Sequence, residues 1–482
     1  TLNYSPSLTG TFTVGGTNPD YTTISAAIDD LVQYGICGPV VLDIRAGTYN
    51  EGVVINAING TSSTNTVTLK GAGAATTTIT GHSFTSNAGL GIMGADYIHV
   101  QDLSINNTTS GGDVWGVLLT GGADYVTIEA CSISVPVGTT IDVGGVVISG
   151  STTANTTEGN NANYFTLKDC YISGGEENVH FEGGGNANPN VGNKVIGCTL
   201  VNADDYGFYS DDQDGLELIG NTIGSLVSST ADGIYTVGGY NYTIEKNLID
   251  APDWGVYLFD MNVNGLAFKA SRFVNNMVRS GSDYGVYLND VDSVLFYHNT
   301  IVGEPALYVN DHSNLNIRNN IFSSVTDQAV DFVDATAIGI MDYNLYYNGG
   351  VADLFEFGTT TYTNLAAWQT GQSLDANSVE GDPIFVSSTD LHIQGLLAND
   401  IGDATVGVTT DIDGDPRPFS PAIDVDMGAD EIKILKNDAG ITAIEPACVG
   451  GDLKVKVINY GALNLQSFTV NWSIDGNLQT PV

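Results

Sequence analysis

The sequence predicts an all-β fold: a right-handed parallel β-helix (solenoid) with an N-terminal capping helix and a partial C-terminal immunoglobulin-like β-sandwich. Two observations predict the solenoid. A short strand pattern recurs along the chain: apolar, two variable residues, a small residue, one variable residue, apolar. It appears as Ile128-Glu129-Ala130-Cys131-Ser132-Ile133 and Leu167-Lys168-Asp169-Cys170-Tyr171-Ile172, then around Cys198 and Asn221. Asn247, Asn276, Asn299, Asn320 and Asn344 hold the same position in later copies. A second strand alternates with the first: Tyr206-Gly207-Phe208-Tyr209, Trp254-Gly255-Val256-Tyr257 and Tyr284-Gly285-Val286-Tyr287 are three of its copies. The copies lie roughly 20 to 40 residues apart, as expected for one coil of a β-solenoid.

Each element follows from stacking. One rung cannot bury its own apolar residues, so neighbours must cover them. At about 4.8 Å per rung, ten to twelve rungs predict a rod roughly 50 Å long. Identical Asn side chains at one turn can then hydrogen-bond along the stack as a ladder. Asn221, Asn247, Asn299 and Asn320 are assigned to it, with Cys131, Cys170 and Cys198 as small buried fillers of the same column.

Residues 1–52 are read as the N-terminal strand and helix. The helix runs from Tyr21 to Tyr34, with Ile24, Ala27, Ile28, Leu31 and Val32 on one face. Thr22 or Thr23 starts it, Gly35 ends it, and Val40-Val41-Leu42-Asp43-Ile44 is the first strand. Regular rungs fill residues 53–345. The pattern loosens over 346–431, which ends in the turn-rich Asp411-Ile412-Asp413-Gly414-Asp415-Pro416-Arg417-Pro418. Residues 432–482 shift in composition, with Lys433, Lys436, Lys454 and Lys456 and alternating strands at Leu453–Val457 and Phe468–Trp472. This stretch is expected to be the truncated start of an immunoglobulin-like module within a larger protein, because a complete sandwich takes about a hundred residues.

Composition narrows the function. The chain has 14 Lys and Arg against 55 Asp and Glu, a net charge of −41. A nucleic-acid reader needs a basic footprint, and docking to anionic membranes is disfavoured for the same reason. Nothing approaches 18 apolar residues in a row, so direct membrane insertion is not expected. Five cysteines at loose spacings argue against a disulfide scaffold or a zinc site.

Candidate sites come from positions in phase. Tyr209, Tyr235, Tyr257, Tyr287 and Tyr308 recur two residues after the Gly or Ala of their strand, and form the expected glycan-binding column. Asp212, Asp260, Asp290, Asp311 and Asp334 recur five residues after it. With the Asp411, Asp413 and Asp415 turn, Asp212, Asp260 and Asp290 are the candidate Ca²⁺ ligands, since Ca²⁺ takes carboxylate oxygens. The structural alternative is an aromatic stack over polar turns. For catalysis, the candidates are Asp204, Asp205, Asp211 and Asp212, with Asp214 beside them. A glycoside hydrolase needs two carboxylates flanking the bond, and a lyase needs a Lys or Arg base. Lys168, Lys246 and Arg318 recur near the ladder position, which reads as a solvated face. His180 and His298 read as packing or surface residues. Ice binding by a flat Thr-rich face is disfavoured, because Thr holds no fixed phase.

The opening, Gly10-Thr11-Phe12-Thr13-Val14-Gly15-Gly16 through Asp20-Tyr21-Thr22-Thr23-Ile24, with Gly38-Pro39-Val40-Val41 and Ala46-Gly47-Thr48-Tyr49-Asn50-Glu51, resembles the start of pectate-lyase-like β-helix proteins. It is most similar to those of large surface proteins exported by type IX secretion. The segment from Asp411 to Arg417, with Asp424-Val425-Asp426-Met427-Gly428-Ala429-Asp430-Glu431, resembles the closing signature of the choice-of-anchor Q class. Val455-Lys456-Val457-Ile458-Asn459-Tyr460-Gly461 is similar to the first strands of CARDB-type adhesion modules. These resemblances imply a non-catalytic extracellular or cell-surface stalk or adhesin module, binding glycan or Ca²⁺ on one face. Its partners would be other domains of the same chain and a polysaccharide or cell-surface glycan. The alternative is a polysaccharide lyase or glycoside hydrolase acting on an acidic polysaccharide.

Overall fold

The computed structural model describes residues 7–481 apart from 84, 110–111, 139–141, 186, 263–268, 335, 351–352, 420–423, 433–438, 446–453, 460–466 and 475. Residues up to Glu431 form one unit and Ile432 onwards a second.

Among the described residues the first unit is a solenoid with three sheet faces of thirteen strands each, where the sequence predicted two strand types. The recurring hexamer is the reason. It is two short strands joined by a bend, Thr127–Glu129 on sheet 1 and Ser132–Ser134 on sheet 2. The residue before the ladder position adopts left-handed backbone, with φ 52° at Ala130, 50° at Asp169, 58° at Lys246, 54° at Asn275 and 53° at His298. That bend turns both apolar ends inward, so Ile128 and Ile133 are each fully buried. In a straight strand, residues five apart face opposite sides. The odd spacing was therefore a readable sign of the third face.

Sheet 3 carries the second strand type, among its copies Glu177–Glu182, Tyr206–Asp211, Asp232–Val237, Val256–Met261, Val286–Asp292 and Leu307–Ser313. Pairing in all three sheets is parallel and nearly all in register, until the last pair of sheet 3, Phe355–Phe357 with Thr360–Tyr362, turns antiparallel. Where Gly precedes the inward apolar residue, as at Gly207, Gly233, Gly255 and Gly285, space is tight. A Cβ on Gly255 would lie 2.3 Å from Val278 and 2.4 Å from the Gly285 carbonyl.

The Asn column is a hydrogen-bonded ladder. The Asn247 Oδ1 accepts from both the backbone N–H and the Nδ2 of Asn221, at 3.0 Å each. Asn276, Asn299, Asn320 and Asn344 repeat the pattern. Each Nδ2 also donates to a sheet 1 carbonyl, such as Val195 for Asn221 and Leu218 for Asn247. Buried Asp375 ends the ladder: its Oδ1 accepts from Asn344 Nδ2 and Tyr346 Oη, and its Oδ2 from Trp368 Nε1. Cys131, Cys170 and Cys198 occupy the lower half of the column and are buried free thiols, and Cys37 is free and exposed. Cys448 lies outside the described residues.

Helix α1 (Ile24–Tyr34) begins three residues later than the hydrophobic periodicity suggested, because Thr23 Oγ1 accepts from the Ala26 N–H. The first strand is Leu8–Val14, ahead of Ile36–Ile44, so the run at Val40 belongs to the second strand of sheet 1. A second helix, α2 (Leu365–Gln372), falls in the loosened region and supplies Trp368 to the core. The sequence reading missed it; its few apolar residues make only a weak stripe.

Residues 402–419 and 424–431 run back over the outside of the rungs, held by the left-handed turn residues. Lys246 Nζ donates to Thr410 Oγ1, Asn275 Nδ2 to the Thr410 carbonyl and Asn319 Nδ2 to the Asp403 carbonyl. Arg318 pairs with Asp403 at 2.7 Å. Lys246 and Arg318 are thus anchors, not part of a solvated face. Lys168 pairs with Glu129. Buried Arg417 donates to Glu431 and to the Gly428 carbonyl, both at 2.7 Å.

In the second unit, Ala439–Glu445 pairs antiparallel with Lys454–Asn459, and Ser473–Ile474 with Asn477–Leu478. The strand expected at 468–472 is displaced to Ser473, and Lys433, Lys436 and Leu453 lie outside the described residues.

Candidate functional site

The outward face of sheet 3 gathers most of the candidate residues. Parallel register places Tyr209 beside Tyr235, Tyr235 beside Tyr257, Tyr257 beside Tyr287 and Tyr287 beside Tyr308. Their ring centroids are 5.7, 4.6, 4.8 and 4.9 Å apart along the column. All five are partly exposed except Tyr257, which is 7% exposed. A flanking set went unremarked in the sequence. Tyr206, Trp254 and Tyr284 stand three residues before Tyr209, Tyr257 and Tyr287 and contact them at 5.5, 5.2 and 5.2 Å. The repeat aromatic-Gly-x-aromatic was the signal that could have found it.

The column ends in a buried ionic cluster. His180 stacks on Tyr209 with centroids 4.6 Å apart. Its Nδ1 lies 2.6 Å from Glu177 Oε2 and its Nε2 3.1 Å from Glu182 Oε2. The three side chains are almost wholly buried, and Asn155 Nδ2 also donates to Glu177 at 3.1 Å. Burial opposes charge on the ring, but the two carboxylates outweigh it and raise the His180 pKa to about 9. The expectation that His180 only packs or lies at the surface gives way to a charged centre, fixed by Glu residues three before and two after it.

The Asp candidates divide between the two ends of one strand. Asp204 and Asp205 precede Tyr206–Asp211, and Asp212 follows it. At about 3.3 Å per residue, Asp205 and Asp211 stand roughly 20 Å apart. Two carboxylates serving one glycosidic bond need about 5–9.5 Å. The set therefore cannot act as one pair. Asp211 is in register with Glu182 on the adjacent rung. Burial, then Asp212 and Glu182, push Asp211 up to about 7. Burial also pushes Asp232 to about 7 and raises Asp205. Asp214 accepts from Asn241 Nδ2 at 2.7 Å.

The Asp column has a backbone explanation. Asp212, Asp260, Asp290 and Asp311 have φ of 45°, 53°, 52° and 50°, and Gly94, Gly121 and Gly238 take positive φ at the same turn on other rungs. Asp tolerates left-handed backbone better than most residues. Among the described residues, Asp212, Asp260 and Asp290 do not gather into a group with all ligand atoms within 4.8 Å. Asp411, Asp413 and Asp415 do, and a second group joins Asp413 to His392 and Asp430.

Residues 115–264 and 224–364, together just over half of the chain, match the family described as the right handed beta helix region. The chain belongs to the right-handed β-helix family. No curated protein matches it. Solved structures similar to this β-helix include the A-module of mannuronan C-5 epimerase AlgE6 from Azotobacter vinelandii, at 15% identity over 74% of this chain and 93% of that one, TM-score 0.47. A mannuronic acid specific polysaccharide family 6 lyase from human gut microbiota is 12% identical over 77% of this chain and 91% of that one, TM-score 0.46. Pectate lyase Pel9A is 14% identical over 88% and 97%, TM-score 0.37. The likeness of this β-helix to them is one of fold.

Proposed function

We propose that the chain is an extracellular or cell-surface β-helix module, a stalk or adhesin segment, that binds a polysaccharide along the outer face of sheet 3. One observation carries the reading: a partly exposed aromatic column crosses five rungs on a face whose strands contain no Lys or Arg. Tyr and Trp offer flat apolar area with a polar edge, which suits ordered contact with sugar rings. The acids at its lower end, Asp205, Asp211, Asp212 and Asp232, repel a uronate chain unless a cation such as Ca²⁺ bridges them. The favoured ligand is therefore a neutral polysaccharide. The adhesion-module resemblance of residues 455–461 supports a surface role, with other domains of the same protein as neighbours and an immunoglobulin-like fold for the second unit. The test is calorimetric titration of the intact chain with neutral and acidic polysaccharides, with and without Ca²⁺. Tyr235→Ala combined with Tyr287→Ala should weaken a neutral ligand at least tenfold. Failure of the wild-type chain to bind any of them would remove the reading.

A second reading is glycoside hydrolysis, favoured by the partly exposed Asp211 and Asp212 at the end of the strand that carries Tyr209. A carboxyl held near 7 keeps the proton that a leaving glycosidic oxygen takes up, and the partly buried Asp212 carboxylate can activate water or attack the sugar. Release of reducing ends, abolished by Asp211→Asn, would establish it.

A further inference from the structure

We propose that His392, Asp413 and Asp430 form a divalent-cation centre of mixed imidazole and carboxylate donors. They come from three separate stretches of the closing region, yet their ligand atoms all lie within 4.8 Å of one another. His392 Nε2 is 3.3 Å from Asp413 Oδ2. On the other side of the ring, Nδ1 meets Asp390 Oδ1 at 2.5 Å. A carboxylate on one imidazole nitrogen is the arrangement that orients the other toward a metal. Asp430 is steadied by the Ile393 N–H, which donates to its Oδ2 at 3.1 Å.

The neighbouring Asp411–Asp413–Asp415 set is less suited to an ion. Asp411 is fully buried, and its two oxygens already accept from the Asp415 and Glu431 N–H groups. The His392 set is reachable. Asp413 is exposed, and His392 lines a groove of about 440 Å³ with Leu248, Met277, Arg279 and Leu391. An entering ion can keep water or take a groove ligand on that side. Imidazole with two carboxylates suits Zn²⁺ or Mn²⁺, whereas Ca²⁺ prefers an all-oxygen shell. Once bound, the ion cross-links the turn at residue 392, the turn at 413 and the strap at 430.

The experiment is calorimetric titration of the intact, EDTA-stripped chain with Zn²⁺, Mn²⁺ and Ca²⁺ separately. The expected result is one Zn²⁺ or Mn²⁺ per chain, bound more tightly than Ca²⁺. His392→Ala and Asp413→Asn should each weaken it at least tenfold. Asp413 is exposed, so its Asn variant should keep the wild-type circular dichroism spectrum. No transition-metal binding by the wild-type chain would overturn the assignment. So would binding unchanged in both variants, or Ca²⁺ bound most tightly and indifferent to His392→Ala.

Discussion

The lower and upper halves of the ladder column fill one structural position with different chemistry. Below, Cys131, Cys170 and Cys198 are buried thiols that make long, weak S–H contacts to sheet 1 carbonyls, at 3.8, 3.6 and 3.6 Å. The Cys131 N–H lies 3.5 Å from Cys170 Sγ. Above, from Asn221 to Asn344, every side chain accepts two hydrogen bonds or donates two, and none sees water. The join is direct, because the Cys198 N–H donates to Asn221 Oδ1 at 2.9 Å. The solenoid thus needs a small group at this turn, not an amide. Once amides are stacked, each depends on the next.

That dependence sets the largest expected effect. Asn276→Ala leaves the Asn247 N–H without its acceptor, takes one of two acceptors from Asn247 Nδ2 and removes the side-chain donor to the Ile244 carbonyl. Buried unsatisfied groups cost about 1–3 kcal/mol each, so a loss of about 3–5 kcal/mol is expected in urea denaturation. Cys170→Ala, one position in the thiol half, should cost only about 1 kcal/mol. Equal losses would erase the distinction between the halves.

His180 sharpens the comparison by pH. Its pKa is raised to about 9 in the fold, against about 6.5 unfolded. Its contribution is therefore complete below pH 6.5 and is lost as pH rises through 9. The change is about 3 kcal/mol at 1.36 kcal/mol per unit. His180→Gln should remove that slope from stability measured between pH 6 and 10. Asp211, raised to about 7, acts in a lower window: its stabilising protonated form is lost as pH rises from about 4 through 7. Asp211→Asn should flatten that part of the profile.

The smallest effect tests whether the amide ladder can grow. Cys198→Asn would place an amide on a backbone N–H that already donates upward to Asn221 Oδ1. Stability within about 1 kcal/mol of wild type is expected, and a slight gain if the new Nδ2 shares that acceptor. A loss of several kcal/mol would show that the lower turn is shaped for sulfur.

Most of the scaffold was readable from local pattern. Stacked in-register strands convert phase along the chain into columns in space, so Asn221 to Asn344 and Tyr209 to Tyr308 could be aligned without coordinates. The third sheet was missed because the left-handed residue between Ile128 and Ile133 is Ala, Asp, Lys, Asn or His on different rungs, and so carries no single residue signature. The candidate site was read in part. Its Tyr column followed from phase, but the Glu177–His180–Glu182 centre occurs once and breaks the repeat, so periodicity could not reveal it. The division of Asp205 from Asp211 was legible too, because the strand read at Tyr206–Tyr209 is extended and parts them.

Repetition by itself therefore determined the β-helix, its inward residues and its two side-chain columns, because each rung offers its neighbours the same unsatisfied surface. The return of Asp403 and Thr410 onto Lys246, Asn275, Arg318 and Asn319 was beyond the reach of local pattern. So was the meeting of His392 with Asp413 and Asp430. These contacts join residues far apart in the chain, and no periodic rule relates their spacing; only the packed solenoid brings them within bonding distance.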